Sequence, residues 1–149
     1  MKIRLIAYSV LFSIGVFSCG PEKDKIDRDL SDIKDAKILQ YAIEGKILYE
    51  NYCGNCHQND GTGLGKLIPP LKGSDYMKED IGRTVSIIKN GLQGEISVNG
   101  QVYNQPMPAN SHLTNMEIAQ IMTYIYNIWG NEEGIIDAKQ VDQYLNKKN

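Results

Sequence analysis

Cys53-Gly54-Asn55-Cys56-His57 puts two thiols three positions apart, with an imidazole directly after the second. C-x-x-C-H is the attachment signal for a c-type haem. Two cysteines at this spacing on a helical turn can each form a thioether to one haem vinyl group. The next side chain, His57, is left under the iron as its proximal ligand. Zinc would need about four ligands, whereas the chain holds a single further cysteine, Cys19, and one further histidine, His112. A thioredoxin-like dithiol belongs in a βαβ pattern, and none is present. The motif therefore encodes one covalent haem c, with its iron, per chain.

The chain has 149 residues, room for one domain and a tail, with 42% hydrophobic residues and 14 glycines. That composition is ordinary for a loop-rich globular protein. The net charge of −2 becomes −4 once residues 1–18 are set aside, because they contribute Lys2 and Arg4 and no acids. No basic face for nucleic acid is indicated. Lys2 and Arg4 precede an apolar run from Leu5 to Phe17, an n-region followed by an h-region. A bilayer-spanning helix needs about 20 residues, so this shorter run reads as an export signal. Its end, Val16-Phe17-Ser18-Cys19-Gly20, resembles the lipobox of bacterial lipoproteins, in which the cysteine becomes the lipidated first residue. Lipidation also gives the odd cysteine a role. The expected organisation is a signal peptide over 1–18 and a charged tether over 19–37, with ten charges and three apolar residues between Gly20 and Asp35. The expected location is the periplasmic side of a bacterial membrane, held by lipid on Cys19.

Several elements must hold the motif in place. Ile38, Ala42, Gly45, Leu48, Tyr49 and Tyr52 recur at helical steps, predicting a helix that leads into Cys53. Glycine in a helix interior costs about 1 kcal/mol, so Gly45 on that face implies a second helix crossing closely. The stretch from Gln58 to Gly73, rich in glycine and carrying Pro69 and Pro70, predicts a loop able to lie along the haem. Ser74 to Gly91 predicts a helix with Asp80 as N-cap, Ile81, Val85 and Ile88 on one face and Gly91 as a left-handed terminator. Ile96 to Tyr103 alternates around Asn99-Gly100, the signature of a type I′ hairpin. Leu113-Thr114-Asn115-Met116-Glu117-Ile118 is a capping box with a hydrophobic staple. The helix it starts carries Ile118, Ile121, Met122, Ile125 and Trp129 and is expected to stop at Gly130. Residues 132–149 form an extension in which Ile135, Val141 and Leu145 predict one more short helix.

Over residues 38–131 this pattern resembles class I cytochrome c, the small monohaem electron carriers. The resemblance implies an all-α fold of three to five helices around one haem, with a small β-hairpin before the methionine loop. It assigns Pro69, at the head of Pro69-Pro70-Leu71-Lys72-Gly73, as the carbonyl acceptor for His57 Nδ1. It assigns Met107, 50 residues beyond His57 in Asn104-Gln105-Pro106-Met107-Pro108-Ala109, as the second axial ligand. Flanking prolines fix φ and stiffen that loop. Met77, Met116 and Met122 fall in helical patterns and read as packing residues; His112 reads as a surface or cap histidine and Trp129 as packing. The family also sets the N-terminal glycine against an aromatic of the last helix, here Gly45 against Tyr124 or a neighbour. Lys46, Lys66, Lys72, Lys78 and Lys89 read as solvated lysines.

With both axial positions filled by protein, what remains is one-electron transfer with redox protein partners, without catalysis or a small-molecule substrate. His/Met ligation favours a raised potential. Two alternatives stay open: a haem subunit of a larger oxidoreductase, or a gas- or peroxide-reactive protein if Met107 does not stay on the iron.

Overall fold

The computed structural model describes residues 28–147. Cys19, the expected signal peptide and the tether as far as residue 27 lie outside the described residues. Six helices and one hairpin follow in order: α1 (Ala36–Tyr52), α2 (Gly54–His57), α3 (Asp75–Glu79), α4 (Ile81–Asn90), β1 (Ile96–Val98), β2 (Gln101–Tyr103), α5 (Asn115–Ile125) and α6 (Ala138–Asn146). This is the expected helical architecture with its hairpin. Two features raise the helix number above the expected range. The haem-attachment turn is itself α2, and the helix expected over 74–91 breaks at Asp80, which is extended and caps α4 by accepting from Arg83 N–H. Ser74 caps α3 in the same way through Met77 N–H.

The core is the crossing of α1 and α5. Ala42, Gly45 and Tyr49 are the buried face of α1, while α5 is buried from Ile118 to Ile125 except for the half-buried Gln120, as a helix enclosed by neighbours must be. A Cβ on Gly45 would come within 2.5 Å of the Gln120 carbonyl carbon and 2.9 Å of Tyr124 Cβ. The expected glycine–aromatic crossing is therefore present. Tyr124 also rests against Tyr49, ring centroids 5.5 Å apart.

Four local expectations need correction. Tyr52 is exposed, because the inward position four residues after Tyr49 falls to Cys53; Tyr52 lies instead against the His112 ring, centroids 5.1 Å apart. Met116 is also exposed. Residues 28–35 are not tether: Ile33 is buried, and a short 3₁₀ turn at Leu30–Asp32 is closed by a capping box from Asp29. Helix α5 ends at Ile125 rather than at Gly130. Buried asparagines take its last carbonyls, Asn127 Nδ2 donating to Thr123 O at 2.8 Å and Asn131 Nδ2 to Ile125 O at 3.1 Å. Between them Trp129 adopts φ 54° and donates its N–H to Arg28 O.

The extension folds back onto α5 through reciprocal 3.1 Å bonds between the Thr123 hydroxyl and the Ile136 backbone. Helix α6 then packs on α4 and α5. Val141 is its buried residue and Leu145 is half-buried, as the pattern predicted, but Ile136 fills the buried position ahead of the helix and Ile135 does not.

Candidate haem site

Between α2, α4 and the segment Leu92–Pro108 lies an open cleft whose lining is almost wholly apolar, the character expected of a site for an apolar cofactor. Cys53, Cys56, His57 and Pro69 line one side, and Met107 and Pro108 another. All five residues singled out for the cofactor thus meet at one cavity.

The proximal side is built from short-range bonds. Cys53 O accepts from Cys56 N–H at 3.1 Å and from His57 N–H at 2.9 Å, closing the turn that presents both thiols and the imidazole. The Tyr49 hydroxyl, buried and with its pKa driven far up by desolvation, donates to Gln58 O at 2.7 Å just past the motif. Gly61 O accepts from Leu71 N–H and Lys72 N–H, folding the loop so that Pro69 faces His57. His57 Nδ1 lies 3.1 Å from Pro69 O. A carbonyl only accepts, so Nδ1 carries the proton and Nε2 is the free nitrogen. Burial lowers the His57 pKa, with the Pro69 bond acting against it; the ring is a neutral, oriented base. Burial pushes the Cys53 thiol up to about 12, with Cys56 adding to the effect. Cys56 is the exposed one of the pair.

The distal side is assembled from afar. Asn99 and Gly100 have φ of 51° and 75°, the two positive values of a type I′ turn. Asp75 and Asn99 exchange backbone-to-carboxyl and backbone-to-amide bonds of 2.7 and 3.1 Å, fixing the hairpin to α3. The strap that follows is joined to the end of α4 by an antiparallel bridge, Leu92 N–H to Met107 O and Met107 N–H to Leu92 O, both 2.9 Å. Gly91 has positive φ as expected, although with extended ψ rather than the left-handed helical value. A Cβ there would sit 2.7 Å from Met107 O.

The other methionines and the second histidine separate clearly. Met122 is buried in the core away from the cleft, and Met77 is buried and lines it. His112 is exposed against Tyr52. Trp129 packs edge-on to Tyr49 and Tyr124 at 5.8 and 6.0 Å. One residue was underread: Lys89 is no free surface lysine, since Nζ donates to Ser111 O at 2.8 Å and Leu113 O at 2.6 Å. Its place four residues after Val85 sets it on the Ile81–Val85 face of α4, a spacing that could have set it apart from the other lysines.

The cytochrome c family model matches residues 42–129. The chain belongs to that family. Its covalent cofactor is haem c, and its work is electron transfer. Among curated relatives, cytochrome c-552 of Thermus thermophilus is 36% identical over 102 residues, 66% of this chain and 72% of that protein. The cytochrome c subunit of a quinone alcohol dehydrogenase from Gluconobacter oxydans is 28% identical over 102 residues, 21% of its length. That of Komagataeibacter europaeus is 30% identical over 104 residues, 22% of its length. The apolar cleft, paired thiols and oriented imidazole fit the family's haem.

Proposed function

We propose that this cytochrome c is a one-electron carrier whose haem is held between His57 and Met107, and that it works on the periplasmic side of a bacterial membrane, tethered through lipid on Cys19. The reading rests above all on one observation: the Met107 strap and the His57–Pro69 pair line the same cleft as both thiols. Bound there, haem c supplies a single reversible electron. The chain's residues do the rest. His57 keeps its proton at Nδ1 through Pro69, which fixes the ring plane and raises the basicity of Nε2. Met107 is a soft ligand on a strap stiffened by two prolines, and a thioether favours ferrous iron. The apolar lining excludes water and favours the less charged, reduced form.

Export and lipidation are supported by the basic n-region, the short apolar run and Cys19 at its end. No helix among the described residues is long and apolar enough to cross a membrane. His57 and Met107 would both be taken up in holding the haem, leaving no position on the iron for a substrate, so we read the protein as non-catalytic.

A second reading, a fixed haem subunit of a larger oxidoreductase, draws on the alcohol dehydrogenase cytochrome subunits, although only about a fifth of their length is matched. Membrane extraction under mild detergent discriminates the two: a carrier emerges alone, a subunit with its dehydrogenase. The axial assignment is tested with Met107→Ala. Haem should stay covalently attached while the potential falls and carbon monoxide binds the reduced protein. A variant that keeps the wild-type potential and refuses carbon monoxide would remove Met107 from the iron.

A further inference from the structure

We propose that Lys89 is a positioning residue for Met107, its ammonium clamping the second half of the methionine strap against the end of α4. This rests on the reading of Met107 as axial ligand. The strap is tied to α4 at three levels. Met107 pairs with Leu92 in both directions, Asn110 N–H donates to Ile88 O at 3.0 Å, and Lys89 Nζ reaches Ser111 O and Leu113 O. Pro106 and Pro108 offer no N–H, so the strap cannot close a longer backbone ladder with its neighbour.

Lys89 is the side chain that supplies what the backbone cannot. It stands in the last turn of α4, where a cation is favoured by the helix dipole. Its two bonds are short and charge-assisted. The second acceptor, Leu113, is buried and directly precedes the Thr114 cap of α5. One ammonium therefore links the haem-side wall, the strap and the entry to the core helix. Neutralising it leaves two converging carbonyls without their donor, and the strap is freed between Asn110 and the cap.

The decisive measurement is the rate at which the ferric holoprotein captures added imidazole, which requires Met107 to leave the iron. Lys89→Met should raise that rate about tenfold, the loss of about one charge-assisted bond, and weaken the methionine–iron charge-transfer band. Haem staining should not change, and the helical melting temperature should fall by only about 3–6 °C. Lys89→Arg, which keeps the charge and the donors, should stay within about twofold of wild type on the same scale. Potential alone is not decisive, because removing any nearby cation lowers it.

A wild-type capture rate and intact band in Lys89→Met, with fast capture in Met107→Ala, would reduce Lys89 to a surface charge. If Lys89→Met yields no holoprotein, Lys89→Gln is read instead, and an unchanged rate there overturns the clamp equally. A wild type that lacks the band and is unaffected by Met107→Ala overturns the ligand assignment itself, and the clamp with it.

Discussion

The two sides of the haem cleft are built over different sequence distances. The proximal side runs from Cys53 to Lys72 and closes on itself: Cys53 O takes its own turn's amides, Gly61 O folds the loop and Pro69 O takes the His57 proton. The distal side draws on α3 through the Asp75–Asn99 exchange, on α4 through Leu92 and Lys89, and on α5 through the cap that follows the strap. The first half is local and covalent. The second is a tertiary assembly, so it should be softer, and it should fail first and separately.

The largest effect expected is on the covalent side. Cys53→Ala combined with Cys56→Ala should abolish the haem band on a denaturing gel, whereas Met107→Ala should leave the band at wild-type intensity. A weakened stain in Met107→Ala would mean that the two sides are not separable, since attachment would then depend on the strap.

Next comes the element both sides share. Helix α1 delivers Cys53 and α5 receives the strap, and they meet at Gly45. Gly45→Val forces the α1–α5 contact apart and should cost about 3 kcal/mol or more, a fall in melting temperature on the order of 10 °C. Both the main melt and the earlier loss of the methionine band should move down together. A lower main melt with the methionine band lost at the wild-type temperature would show that the crossing does not couple the two sides.

This contrast also explains what could be read from the sequence. C-x-x-C-H, Pro69, the Asn99-Gly100 turn and the Thr114–Glu117 box are short patterns whose geometry is fixed by their own residues, and each is found as read. What could not be read depended on distant partners. The helical spacing runs on to Trp129, yet α5 stops at Ile125 because Asn127 and Asn131 turn back on its carbonyls. Residues 28–35 look too charged to pack, yet one buried Ile33 and the bond from Trp129 to Arg28 suffice to dock them. Lys89 follows Ile81 and Val85 at helical steps, but its acceptors lie 22 and 24 residues away, so nothing local says what its ammonium meets.

A smaller perturbation isolates the distal side. Gly91 combines φ 78° with extended ψ, a region essentially closed to side chains, and faces the Met107 carbonyl. Gly91→Ala should cost about 1–3 kcal/mol. That cost should appear as a weaker methionine–iron band and easier carbon monoxide binding, with haem staining unchanged. If the band survives at full strength while the whole protein melts lower, the strap is not a separate unit.

The smallest expected effect lies at the far end of the strap and carries a pH signature. Glu117 accepts from the Thr114 backbone N–H at 2.7 Å and its hydroxyl at 2.8 Å, and these bonds hold its carboxyl below the ordinary range. A depressed folded value means the contribution is present above the unfolded value of about 4.3 and is lost as pH falls through the folded one. Acidification below about pH 4 should therefore fray the start of α5 and loosen the strap, fading the methionine band while the thioethers hold. Thr114→Ala removes the hydroxyl that accepts from Glu117 N–H and donates to the Glu117 carboxylate, leaves the backbone bond to that carboxylate, and should lower stability by about 1 kcal/mol at neutral pH. Because the Glu117 carboxylate then keeps only its backbone bond, the acid-induced fading in that variant should shift toward higher pH and become shallower. An acid profile identical to wild type would assign the fading to groups elsewhere and free the strap from its cap.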